Sequence, residues 1–148
     1  MTRRELREHC FKMLFCAEFY KEPEETREQV SQYFEAPEED DWAEDGTVTI
    51  LHNTEFDMHD TEYLKTKAEA VLKVIPELDE KINAVAEGWK TGRMGKVDLT
   101  IIRLALYEML YDEEVPGKVA INEAVELAKK FGGDESPSFV NGVLARLI

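Results

Sequence analysis

Residues 97–111 read VDLTIIRLALYEMLY, and eleven of these fifteen are apolar. The run contains neither Gly nor Pro. Alternation of apolar and polar residues fails at Ile101-Ile102 and again at Leu104-Ala105-Leu106-Tyr107, which argues against a half-buried strand. Leu, Ala, Met and Glu are strong helix formers, and a helix that is apolar nearly all round is a buried one. The segment is too short to span a bilayer and is interrupted by Asp98, Arg103 and Glu108. It therefore reads as the central helix of a small helical domain. Arg103 and Glu108 stand five apart, so each is expected to find its partner on a neighbouring helix or in solvent.

The flanking sequence supplies the helices that would surround it. Thr2 is placed to cap a helix running to about Tyr20, with Leu6, Cys10, Met13, Leu14 and Ala17 on one stripe. Phe11, Phe15 and Phe19 make a second row on that helix, so it buries two sides or offers one to a partner. Residues 24–34 suit a second helix, with Val30, Tyr33 and Phe34 inward. Residues 61–74 form a third, and Pro76 opens a fourth that reaches about Trp89. Beyond the central helix, Val115-Pro116-Gly117 is a turn, Lys118 to Phe131 is helical, and Gly132-Gly133 stops it. Ser136-Pro137 opens the last helix as N-cap and first residue. Residues 36–59 are the exception. The acidic run there reads first as a solvated loop, while the β-branched alternation of Val48 and Ile50 is compatible with a short strand or part of a hairpin. The expectation is an all-α domain spanning 1–148, a compact bundle of about seven helices with an acidic insertion.

Composition narrows the function. The chain has 148 residues and a formal charge of −14, but the charge is localised. Between Glu22 and Glu62 there are fifteen acidic residues and one basic residue, Arg27, whereas the remainder of the chain is neutral overall. The sum alone therefore does not exclude a nucleic-acid partner. Cys10 and Cys16 suit neither a disulfide framework nor a zinc site. No secretory leader or transmembrane run is visible, so a cytoplasmic protein is expected.

The sequence shows no phosphate loop, HExxH or CxxC pattern. His52 and His59, with Asp57, Asp60 and Glu62 nearby, lack helical ligand spacing. The expectation is a protein that is not an enzyme and uses no metal or cofactor. Arg3, Arg4 and Arg7 cluster on one helix end, and Arg suits phosphate through bidentate hydrogen bonds. Against this stand the interleaved Glu5 and Glu8, which suit an ordinary solvated face. Lys129 and Lys130 complement a helix C-terminus in any case. Phe139 lies off the Val140/Val143/Leu144 stripe near a helix start, where an aromatic ring can stack on an unpaired RNA base or fill core.

Three separated segments carry a resemblance that favours the first of these readings. VPGKVAINEAVELAKKFGGDESPSFVNGVL (115–144) resembles the C-terminal signature of the NusB family of transcription antitermination factors. KVDLTIIRLALYEMLY resembles that family's central helix, and RRELREHCFKMLF its arginine-rich first helix. The resemblance implies a fold of two packed helical sub-bundles. It implies binding of boxA-type RNA in nascent ribosomal-RNA transcripts together with the ribosomal protein NusE, within an RNA polymerase antitermination complex. It also allows a homodimer in the free state. On matching positions it implies an RNA surface of Arg3, Arg4, Arg7, Lys118, Lys129 and Phe139, and a NusE surface of Phe15 and Asp98. The sparse arginines, and Leu99 where relatives often carry Arg, leave a second reading: a helical protein–protein adaptor whose RNA face has decayed.

Overall fold

The computed structural model describes residues 1–17, 28, 30, 32–34, 38–42, 48–52, 56–86, 88 and 90–148. Six α-helices have bounds among them: α1 (Arg3–Ala17), α2 (Met58–Lys73), α3 (Ile75–Val85), α4 (Lys96–Tyr111), α5 (Gly117–Phe131) and α6 (Ser136–Ala145). Of the helix expected over 24–34, Glu28, Val30, Gln32 and Tyr33 are helical, and Val30 is buried. The continuation of α1 to Tyr20 falls on positions outside the described residues. Helix α3, expected to reach about Trp89, stops at Val85, because Ala86 turns extended and Gly88 takes a positive φ of 76°.

Helix α4 is central, as its composition requires. It packs against each of the other five helices, and Ile101, Ile102, Leu104 and Leu106 are essentially without solvent contact. Helices α1 and α2 pack together on one side of it. On the other side α5 and α6 form a tight antiparallel pair against α4, with α3 at its flank. These are the two sub-bundles, and one continuous apolar core joins them, from Cys10, Met13 and Leu14 of α1 through Leu64 and Val71 of α2 to Val140 and Leu144 of α6. The stripe expected on α1 faces inward, and Phe11 of the second row is buried with it.

Local chemistry fixes the boundaries. The Thr2 hydroxyl accepts a hydrogen bond from the Glu5 amide at 3.1 Å, capping α1 as expected. Helix α2 begins earlier than its apolar spacing suggests, because the Asp57 carboxylate caps it by accepting from the Asp60 amide at 2.7 Å. That cap shortens the insertion, placed at 36–59 from sequence, at its C-terminal end. Pro76 sits in the first turn of α3, where a missing N–H costs nothing. Gly132 ends α5. A Cβ there would lie 2.5 Å from the Ser136 side chain and 2.9 Å from the Ala128 carbonyl oxygen, so the close α5–α6 turn admits only glycine. Ser136 acts differently from the expected N-cap: its hydroxyl accepts from the Gly133 amide at 3.0 Å and ties down the preceding turn.

The acidic segment is where structure departs from the solvated-loop expectation. Strands β1 (Glu38–Trp42) and β2 (Val48–His52) pair antiparallel, with Glu38 opposite His52, Glu39 opposite Ile50, Asp41 opposite Thr49 and Trp42 opposite Val48. The β-branched alternation outweighs the turn-forming acidic composition, and cross-strand pairing gives the backbone polar groups partners. The fold is thus an all-helical bundle carrying a hairpin inserted ahead of α2.

Candidate nucleic-acid interface

Helices α1 and α4 run antiparallel. Arg7, near the start of α1, meets Glu108 near the end of α4, whereas Leu14 and Thr100 come together at the opposite end. The candidate residues divide between these two ends. At the first, α1 and the C-terminal half of α5 enclose a groove of about 280 Å³ lined by Arg4, Arg7, Glu8, Glu123, Glu126, Leu127, Lys129 and Lys130. Residues more than a hundred positions apart thus form one charged face.

The cations in this groove are not equivalent. Arg4 is 63 % exposed at its side chain and grips Glu123 through Nε at 3.1 Å and Nη2 at 3.0 Å. The Arg4 hydrogen bond, more than burial opposes, holds the Glu123 carboxyl below its ordinary value, and Arg4 is raised in turn. Lys130 reaches back to both oxygens of Glu8, at 2.9 and 3.1 Å. Lys129 pairs with Glu126 one turn earlier on its own helix. Arg3, exposed on the first turn of α1, has no ion pair among the described residues. Lys130 and Lys12 both lie over the Phe131 ring, 5.5 and 5.9 Å from its centroid.

Arg7 serves the core more than the surface. It is 8 % exposed and donates to Glu108 from Nε at 2.9 Å and from Nη2 at 2.7 Å. Lys67 of α2 stands 3.6 Å from the same carboxylate, which is itself 1 % exposed. Burial opposes the charge on both cations. The Glu108 carboxylate outweighs that penalty and holds each above its ordinary value. Burial pushes the neighbouring Cys10 thiol up to about 12, which keeps it a neutral core filler. The pairing of Glu108 with Arg7, and of Arg103 with Asp79 of α3 at 2.7 and 2.8 Å, matches the expectation that neither would pair with the other.

Lys118 and Phe139 lie apart from this groove. Lys118 is exposed in the first turn of α5, eleven residues and so about 16 Å from Lys129 along the helix. Phe139 is half-buried in α6 and packs against the core. At the other end of the α1–α4 pair, Phe15 is half-buried, with its ring centroid 6.1 Å from that of Phe11. Asp98, in the first turn of α4, keeps Oδ1 buried with no hydrogen-bond partner among the described residues. A buried acceptor left open in this way is costly unless a donor arrives.

Sequence reasoning missed Glu123, Glu8 and Lys130 as members of the groove. Glu123, Glu126 and Lys130 share one face of α5 by their three- and seven-residue spacing, a signal that was readable. Their apposition to α1 was not, since it depends on how α5 crosses α1.

A two-sub-bundle helical fold with a charged groove at one end of its central helix pair, and the half-buried Phe15 and Asp98 towards the other, defines the class of small helical-bundle proteins. The chain belongs to the NusB family, whose model matches residues 4–148. It is 49 % identical over its full length to the transcription antitermination protein NusB of Lachnoclostridium phytofermentans, covering 99 % of that protein. It is 43 % identical to that of Agathobacter rectalis, over 99 % of this chain and 98 % of that one. Among solved structures, T. maritima NusB superposes with a TM-score of 0.76 at 30 % identity, over 99 % of this chain and 90 % of that chain. A complex of antitermination factors NusB and NusE with double-stranded RNA gives a TM-score of 0.71 at 21 % identity, over 98 % and 94 %, a likeness of fold alone.

Proposed function

We propose that this protein is a transcription antitermination factor that binds boxA-type single-stranded RNA of nascent ribosomal-RNA transcripts together with the ribosomal protein NusE. The observation that carries the reading is the groove in which Arg4, Lys129 and Lys130 converge from the two ends of the chain; Arg3, next to Arg4 in sequence, is exposed and has no ion pair among the described residues. Family membership supports it. In this reading the chain acts as one domain, contributes no catalysis or cofactor, and works in the cytoplasm within an RNA polymerase complex.

The RNA surface comprises Arg3, Arg4, Lys118 and Lys129, with Phe139 stacking on a base. Arg7 belongs to it as the buried residue that fixes α1 against α4. Phe15 and Asp98 receive NusE, whose donor completes the open Asp98 oxygen. Without NusE, the same end pairs with a second copy of the chain. The two ends of the α1–α4 pair then hold RNA and protein separately, with about 15 Å of helix between Glu108 and Asp98.

The test is binding of a short boxA-type RNA, alone and with NusE, by the wild type and by Arg3→Glu/Lys129→Glu. Each phosphate contact adds about 0.7 to the steepness of the salt dependence on a single strand. The double reversal should weaken binding severely and flatten that slope by roughly 1.4. Unchanged affinity would favour the adaptor reading, which rests on the carboxylates already paired with most of the groove's cations.

A further inference from the structure

Two hydrogen-bonded bridges cross the groove from α1 to α5, beside a longer contact of 3.6 Å from Arg7 to Glu123. Arg4 holds Glu123 in a two-point grip, and Glu8 holds Lys130 through both its oxygens. They run in opposite directions, cation to carboxylate from α1 and carboxylate to cation from α1, so each helix supplies one partner of each sign. A carboxylate facing a guanidinium fork presents two oxygens in the geometry that a phosphate presents. We propose that Glu123 and Glu8 are built-in phosphate mimics that occupy the groove in the free protein, so that RNA phosphates enter only by displacing them. The inference rests on the RNA-binding reading above and adds the regulation of that same site.

The groove lining holds four cations, Arg4, Arg7, Lys129 and Lys130, against three carboxylates, Glu8, Glu123 and Glu126. Arg7 is already committed to Glu108, which leaves the groove close to neutral. The two bridges are well formed but solvent-exposed on the cation side, at 63 % for Arg4 and 57 % for Lys130. Such pairs are worth little to stability and open readily. They act as a filter. An RNA offering phosphates alone exchanges one ion pair for another and gains little. An RNA that also makes base contacts outside the groove, or arrives with a second protein, gains enough to open both bridges.

An affinity gain confined to the groove separates this from a general effect of negative charge. A phosphate that displaces a carboxylate still sheds the counterions condensed on the RNA, so the salt slope follows the number of phosphate contacts and not the carboxylates displaced. Glu8→Gln/Glu123→Gln keeps shape and frees both cations. Its affinity for a boxA-type RNA should rise about tenfold, as expected for removing two exposed competitors. Its salt slope should change by less than about 0.7, because the number of phosphate contacts is the same. Glu113→Gln/Glu114→Gln removes the same charge from exposed sites in the α4–α5 turn and should change affinity less than about twofold, as screened charges do.

Thermal melts establish that each variant is folded, and Glu123→Gln alone, with about half the effect, serves if the double variant is not. An affinity that stays level or falls in Glu8→Gln/Glu123→Gln overturns the proposal, as does an equal gain in the Glu113/Glu114 control. If the wild type binds RNA and the variant gains nothing, only this inference fails. If neither binds, with or without NusE, the RNA-binding reading fails with it. Binding by the variant alone supports both.

Discussion

Glu108→Gln tests whether the buried charge cluster is what fixes α1 on the bundle. Glu108 is 1 % exposed and faces two buried cations, Arg7 at 2.7 Å and Lys67 at 3.6 Å. Glutamine preserves volume and one acceptor oxygen, so no cavity forms and the loss is electrostatic. Removing one partner of a buried ion pair typically costs about 3–5 kcal/mol, because the remaining charge is left without compensation. Here two cations are left, but Lys67 can shed its proton, so the upper end of that range is a ceiling. For a domain of this size each kcal/mol lowers Tm by about 2–4 °C, giving a drop of about 6–20 °C. The sign with pH follows. Without Glu108, burial holds the folded-state pKa of Lys67 below its unfolded value, so the penalty is greatest at low pH. It fades as pH rises through the folded-state pKa. Urea unfolding at pH 7 and at pH 9 measures both. A loss under about 1 kcal/mol at pH 7, or a penalty that grows with pH, would refute the reasoning.

Leu104→Ala empties a site only 1 % exposed on the central helix and should cost about 2–5 kcal/mol in urea unfolding; a value under half a kilocalorie would mean α4 is not the centre of the core. The folded protein should resist alkylation at Cys10, whose thiol burial raises to about 12, while exposed Cys16 reacts. Mass spectrometry of the singly modified protein decides which thiol was taken. Because the unfolded Cys10 ionises from its ordinary 9.0 and the folded one only near 12, its contribution to stability is complete below pH 9 and is lost as pH rises from there towards 12. Phe15→Ala and Asp98→Arg should each weaken the NusE complex by calorimetry while leaving the circular dichroism spectrum helical; intact binding by both would move the partner surface elsewhere.

Arg7 shows why a sequence-derived site needs its tertiary partners. Its reversal to Glu would set a third carboxylate beside Glu108 and Glu123 and so would report folding before it reported RNA. Arg3 and Lys129 are the cleaner probes, since both are exposed.

Features that depend on neighbours along the chain were legible from the residues alone. The apolar run at 97–111 dictated a buried helix, the Thr2 hydroxyl a cap, and Gly132 a stop, because periodicity, capping and turn chemistry act within a few residues. It also left Arg103 and Glu108 to partners on neighbouring helices or to solvent, and both have the former. Which charges meet was not legible there and follows from packing. Arg4 with Glu123, Lys130 with Glu8 and Arg7 with Glu108 are separated by 119, 122 and 101 residues, and their pairing depends on the crossing of α1 with α4 and α5. The same applies to the paired strands β1 and β2, where acidic composition and β-branched alternation gave opposing local signals and cross-strand pairing decided the outcome. Charge interactions act through space over a few ångströms, so whether an arginine is a free phosphate ligand, a held one or a core residue is set by packing, not by its position in the chain.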